Sequence, residues 1–376
     1  MKRTKGIYRL IAVALVCVIC SKGTTHRPQL VELPTKSASS ARSSRDVSKL
    51  GNGNSEAFWN KVNCVDVTRW KIQQLRQLLT VIGEGSGLLT TSMLPQSTTF
   101  SCPQLTIPCA MQKDGKCVIQ ILQKDICCFS KALAFGEFKS KLILVTQGHD
   151  SLGSPVTVHQ DHDPDTFKCF NLILNNEKVV TYFVSQHKSN FRHKKLDYLP
   201  IGLGTKTLKS ELSVENVTRL MGKLILELET NCHENKCTLY PAAVNMNTVG
   251  PKTTKERSAT FSHAQRVFPS IKNMYGLRSS AEMLEHYARS ALVFSPKGTH
   301  FDCWRHYEAI LMGSIPIVDD HFTLRRILAD LPVVFVENWN DLSLEVLERE
   351  VNQVLAVNHF ALDRLTDRFW QHRFLE

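Results

Sequence analysis

Apolar residues recur along the chain in two periods. Short continuous runs, rich in β-branched residues, stand at Lys141–Thr146, Val179–Val184, Ala291–Phe294, Ile315–Val318 and Leu331–Val336. Each is too short for a helix and long enough for a buried strand. Cys117–Leu122 and Leu239–Met246 read as further strands. Helix-period positions fill the stretches around Phe58–Ile82, Ser280–Arg289, Asp302–Met312, Ser343–Leu355 and Phe360–Phe374. Strands alternating with helices predict an α/β chain with parallel sheets, and crossovers that are right-handed. Gly313 stops the helix that begins near Asp302, and Pro316, without a donor, favours a sheet edge or a strand end.

The amino end breaks this pattern. Lys2, Arg3, Lys5 and Arg9 precede an unbroken apolar run, Leu10–Cys20. A positive start and a short apolar core predict a signal peptide or signal anchor over residues 1–22; crossing a bilayer takes about 20 apolar residues. The Ser-, Thr-, Gly- and base-rich residues 23–55 predict a disordered stem. An N-terminal α/β domain is then expected over 56–226 and a C-terminal α/β domain over 237–376, with no internal repeat.

Charge sharpens the division. The formal net charge is +11, but residues 1–50 hold ten Lys/Arg against two acids, which leaves +3 for the rest. The folded part is near neutral, so no nucleic-acid footprint is read. Of twelve cysteines, Cys102, Cys109, Cys117, Cys127 and Cys128 crowd together without zinc spacing. In an oxidising compartment they would form disulfides, and Cys232 and Cys237, bracketing a short polar loop, could pair. Cys303 reads as a packed free thiol. Asn216-Val217-Thr218 is a glycosylation sequon. Asp161-His162-Asp163 has the spacing of a metal-binding pair but lies in a polar stretch without a clear strand before it, and reads as a solvated acidic loop.

Candidate chemistry concentrates in residues 291–319, a strand, loop, helix and strand. The loop Ser295-Pro296-Lys297-Gly298-Thr299-His300-Phe301 follows a strand and opens a helix, a place where free N–H groups and the helix dipole suit an anion. Lys297 adds charge, Gly298 permits close approach, and Arg305 and Glu308 share one helix face. Arginine suits phosphate and glutamate can accept both hydroxyls of a ribose. No Walker-type loop is present.

The run SPKGTHFDCWRHYEAILMGSIPIV resembles the carboxyl-terminal signature of the exostosin-like glycosyltransferases (family 47), including their ribitol-xylosyltransferase-like relatives, where it runs close to SPRGNGLDCHRTWEALLLGCIPIV. Lys297 stands where Arg is usual, and Thr299-His300 replaces a small polar pair. LILVTQGHD is similar to "iLvthNsD", with Gly148-His149 for Asn-Ser, and TYFVSQHKSNFRHKKLDYLPIGL to "wFaqN…HpKl…lPIGi", with Gln186 kept and His187 for Asn. The resemblance implies a GT-B-like fold of two facing Rossmann-like domains, an inverting reaction, no metal and no other cofactor, and residence in the Golgi lumen of the secretory pathway, with membrane anchoring through the amino end. It also implies that Arg257, after the first strand of the second domain, faces a diphosphate, and that the last helix crosses back to the first domain.

The reading that follows is transfer of a sugar from a nucleotide-sugar, expected to be a UDP-sugar, to a glycan or glycoprotein. The expected donor-binding set is Arg257, Ser295, Lys297, Gly298, Asp302, Arg305 and Glu308. Gln186 and His187 are expected on the acceptor side. An inverting reaction needs a base there; Asp150, just past a strand end, comes first and His149 second. The rival reading is an inactive partner subunit that binds nucleotide-sugar or glycan. A phosphotransferase lacks both its phosphate loop and a carboxylate pair for magnesium.

Overall fold

The expected alternation forms two parallel sheets in the computed structural model. The first is β1 (Thr98–Phe100), β2 (Lys116–Ile121), β3 (Lys141–Thr146), β4 (Val179–Ser185) and β5 (Leu196–Leu199), in that spatial order. The second is β6 (Tyr240–Val244), β7 (Ser290–Phe294), β8 (Ile315–Asp319) and β9 (Val334–Val336), again in chain order. All pairings in both sheets are parallel. The structure describes residues 52–84, 87–89, 98–100, 102, 115–136, 138, 140–146, 164–185, 191–203, 213–234, 236–244, 251–269, 271, 280–298 and 300–375. The leader, most of the stem and Asp161–Asp163 lie outside them.

Among the described residues, neither sheet shows the order reversal that marks a doubly wound fold. Successive right-handed crossovers in one direction place their helices on one face of a sheet. Helices α3 (Ile126–Phe135) and α4 (Pro164–Asn175), which follow β2 and β3, do lie together, joined by the Cys127–Cys169 disulfide. Phe170 of α4 packs on Tyr182 of β4 at 5.0 Å between ring centroids. Neighbouring Phe183 points to the opposite face, as strand alternation requires, and meets Phe374 of the last helix, α11 (Asp367–Leu375), at 4.9 Å. Helix α11 thus packs on the face of the first sheet opposite α4.

The first described helices do the converse. Helices α1 (Asn52–Lys61) and α2 (Cys64–Gly83), expected with the first domain, pack against the second lobe. Phe58 meets Phe268, which meets Phe294 of β7. Lys71, fully buried in the helix-period stripe, donates to Tyr287 O (3.3 Å), Ser290 O (2.8 Å) and Ser314 Oγ (2.9 Å) at the amino ends of β7 and β8. The Cys64–Cys237 disulfide fastens α2 to the approach of β6. Cys237 therefore does not pair with Cys232, which sits in the last turn of α5 (Val214–His233) as a free thiol. The burial of an amphipathic helix is decided by what its apolar face fits, not by its neighbours in sequence.

All described residues belong to one compact unit, Lys49–Glu376. Pro316 stands in an interior strand, not at an edge. Ile317 O accepts from Ser295 N–H on the β7 side, so the preceding residue faces β9, whose pairing begins only at Ile317–Val334. No ladder donor is lost. The sequon falls in the first turn of α5, where Asn216 N–H is capped by Ser213 Oγ and its side-chain oxygen accepts from Arg219 at 3.0 Å. Among the described residues no helix is long and apolar enough to cross a membrane.

Candidate functional site

Strand β7 leads into the expected loop, and α8 (Trp304–Leu311) follows it. The helix closes with the bonds of a Schellman turn: Gly313 N–H to Ile310 O and Ser314 N–H to Ala309 O, both 2.9 Å. Gly313 has φ +66°, and a Cβ there would press on Lys71 and Leu75. This fixes the length of α8, and with it the height of Arg305 and Glu308 above the sheet.

The loop is held from within. Ser295, fully buried, shares a 2.7 Å hydrogen bond with His306 Nδ1, and His306 Nε2 lies 2.9 Å from Phe301 O. A carbonyl can only accept, so Nε2 carries the proton and Nδ1 accepts from the serine. Burial pushes the imidazole down to about 3, so it stays neutral. Ser295 uses its hydroxyl proton to close the loop. Lys297 N–H donates to Asp319 Oδ2 at 2.5 Å, and Trp339 Nε1 holds the other oxygen of Asp319 at 2.9 Å. Gly298 N–H donates to His300 O. Of the loop amides, those of Lys297 and Gly298 are thereby taken up inside the protein. Asp319, the last residue of β8, was missed in the sequence; its position beside the β7 exit in a parallel pair was the available signal.

Positive charge comes instead from side chains. Arg257, in α6 (Pro251–Val267), reaches the loop, with Nε 3.5 Å from Lys297 O. Gly298 lies directly beneath it: a Cβ there would push the tip of the Arg257 guanidinium aside. Arg305 donates to Pro296 O at 2.5 Å and to Cys303 Sγ at 3.8 Å, and its Nε has no partner. Both arginines are buried, and no carboxylate among the described residues lies within ion-pair distance of either. Burial, and then the Arg305 charge, hold the Arg257 guanidinium below its ordinary range. Two buried, adjacent cations without a carboxylate partner among the described residues are costly, and a bound anion would relieve that cost. Lys297 stands over the Phe301 ring at 5.4 Å, and His321 stacks on that ring at 3.7 Å. Glu308 is buried one turn beyond Arg305.

Asp302 is placed differently. Its Oδ2 accepts Ile201 N–H at 2.8 Å, from just past β5, and its Oδ1 accepts Tyr307 OH at 2.8 Å. Burial raises its pKa to about 7. The carboxyl ends of the two sheets meet at this contact. Nearby, Asp197 of β5 binds Arg326 (2.8 Å) and Arg373 (3.3 Å). Asp150, His149, Gln186 and His187 lie outside the described residues. The strands that lead to them end side by side, with Thr146 opposite Val184.

Comparison with known proteins adds to this geometry. The RXYLT1 C-terminal domain matches residues 252–374, which include both arginines, the loop and α8. Ribitol-5-phosphate xylosyltransferase 1 of Danio rerio is 36% identical over 75 residues, 17% of this chain and 17% of that protein. Both findings support the resemblance to exostosin-like, RXYLT-like glycosyltransferases. The chain is also similar to an OtsA apo structure (TM-score 0.38, 8% identity, covering 69% of this chain and 72% of that one). A second is an alpha-glucosyltransferase in complex with UDP-glucose and DNA containing an abasic site (TM-score 0.25, 12% identity, 69% and 76%). At these scores neither bears on the reading.

Proposed function

With residues 252–374 resembling the RXYLT1 C-terminal domain, we propose that the chain is an inverting glycosyltransferase of GT-B type. It takes a sugar from a nucleotide-sugar, a UDP-sugar by expectation, and passes it to a glycan or glycoprotein in the secretory pathway. The name of the Danio rerio relative points to xylose as the sugar and ribitol 5-phosphate as the acceptor, and the same class is proposed here.

One observation carries the proposal: the buried Arg257 and Arg305, with no carboxylate partner among the described residues, converge on the loop after β7. In the transfer, an acceptor hydroxyl oxygen bonds to the sugar's anomeric carbon while the bond from that carbon to the diphosphate breaks. The proton passes to a base on the first lobe, for which Asp150 and then His149 are the candidates. The electron pair leaves with the diphosphate. Arg257, Arg305 and the Lys297 ammonium meet that charge, a large effect in a site screened from water. Glu308 accepts from the ribose hydroxyls. Guanidinium and ammonium charge can take the part a divalent cation would play, so metal-independent transfer is included in the proposal.

The test has two arms. Screening the purified chain against a panel of sugar nucleotides, with glycan acceptors, should give acceptor-dependent release of nucleoside diphosphate. Calorimetry should show UDP binding weakened about 10- to 100-fold by Glu308→Ala and by Arg305→Met, the loss expected when a charge-assisted contact goes. Removing one of two repelling cations should leave the melting temperature of ligand-free Arg305→Met at or above that of the wild type. Unchanged UDP affinity in both variants would sink the site assignment. Binding without release from any donor would favour the inactive partner subunit.

A further inference from the structure

Asp302 belongs to the residues expected to hold the donor, yet both of its carboxylate oxygens are used inside the protein. The group it reaches is well fixed. Ile201 leads into Gly202, at φ +63°, where a Cβ would meet the Leu89 carbonyl, and Leu203 N–H donates to Leu89 O at 2.8 Å. The β5 exit therefore cannot drift without breaking a turn and a second hydrogen bond. On its other side Asp302 ends the loop that starts at Ser295 and precedes Cys303, the N-cap of α8, whose side chain caps nothing. Tyr307, bonded to the same carboxylate, lies in α8 between Arg305 and Glu308. One buried carboxylate thus ties the first lobe to both ligand-bearing elements of the second.

We propose that Asp302 is a positioning residue: through its bonds to Ile201 and Tyr307 the first lobe sets where Arg305, Glu308 and the anion loop stand, and Asp302 does not itself touch the donor. This rests on the anion-site reading above. A helix lacking a side-chain cap has few local restraints on its first turn. A restraint reaching it from the other lobe aligns the donor-holding groups with whatever the first lobe presents.

The test compares wild type, Asp302→Asn, Asp302→Ala and Val354→Ala, the last a cavity control in a distant helix, using the full chain. Two quantities are read: amide hydrogen exchange at Ile201 and over residues 300–308, and UDP affinity. Asparagine keeps an acceptor oxygen for Ile201 and a partner for Tyr307. Asp302→Asn should therefore exchange no faster than wild type and stay within about threefold of it in UDP affinity, whereas Asp302→Ala should speed exchange and weaken UDP binding by about tenfold or more, the size of one charge-assisted bond. Val354→Ala should change neither locally. If Asp302→Ala leaves exchange over 300–308 at the wild-type rate, or if Asp302→Asn loses UDP as completely as Asp302→Ala, the proposal is overturned. If wild type binds no UDP while exchange responds as described, the donor reading fails and the clasp stands.

Discussion

Asp302 also gives the most direct handle on pH. Its folded pKa, about 7, lies above its ordinary 3.8 because the carboxylate is desolvated, an effect that outweighs the hydrogen bonds from Ile201, Tyr307 and Cys303. The folded state therefore holds this proton more tightly than the unfolded state. The stability it contributes is full below pH 4 and is lost as pH rises through 7. His306 and His321, pushed by burial down to about 3 and about 4, act in the opposite sense. The informative quantity is thus a difference: Asp302→Asn, with no proton to lose, should gain stability over wild type between pH 5 and 8. At about 1.4 kcal/mol per unit of pKa shift, that gain should reach a few kcal/mol by urea unfolding. A constant difference across that range would show that Asp302 does not titrate there. The sequence could name this aspartate within a motif. It could not say that its partner was an amide 101 residues away.

Within elements, the strands and α8 were legible because their signals are local: continuous apolar runs, a 3.6-residue stripe, and a glycine at the turn. Lys71 was not legible. In a stripe of apolar positions a lysine reads as solvated, and only the packed structure shows three acceptors around its ammonium. The loop amides misled for a related reason. A strand–loop–helix junction suits an anion in general, but here Asp319 and His300 reach the amides first. Helix α2, β7 and the α8 turn form one joint, which Gly313 and Lys71 close together. Gly313→Ala should destabilise by about 1–3 kcal/mol, since alanine disfavours positive φ and its Cβ meets Lys71 and Leu75. Lys71→Met should lose about 1–3 kcal/mol by leaving carbonyls short of a donor. Because both act on one joint, the double variant should fall short of the sum by about 0.5 kcal/mol or more. Strict additivity in denaturant unfolding would mean the two contacts are independent.

At the scale of the whole molecule, helices far apart in the described sequence lace the two lobes together. The first helices serve the second sheet, and the last helix serves the first. The linear domain boundaries expected from composition could not show this, because an amphipathic helix carries its period in the sequence but not its destination. Crossing of the last helix followed only from the family resemblance. Energetically, α11 brings Phe374 and Arg373 to a surface that already holds Phe183 and Asp197. Losing a buried phenylalanine costs about 3–5 kcal/mol, since transfer and cavity terms add. Phe374→Ala should therefore loosen the first lobe selectively. Amide exchange should rise in β3 and β4 while β7 and β8, anchored by α2 and the Cys64–Cys237 bridge, keep wild-type protection. Arg373→Ala, which leaves Asp197 its bond to Arg326, should do much less. An even rise across both sheets would mean that the lobes unfold as one unit, and that α11 stabilises the molecule rather than the first sheet.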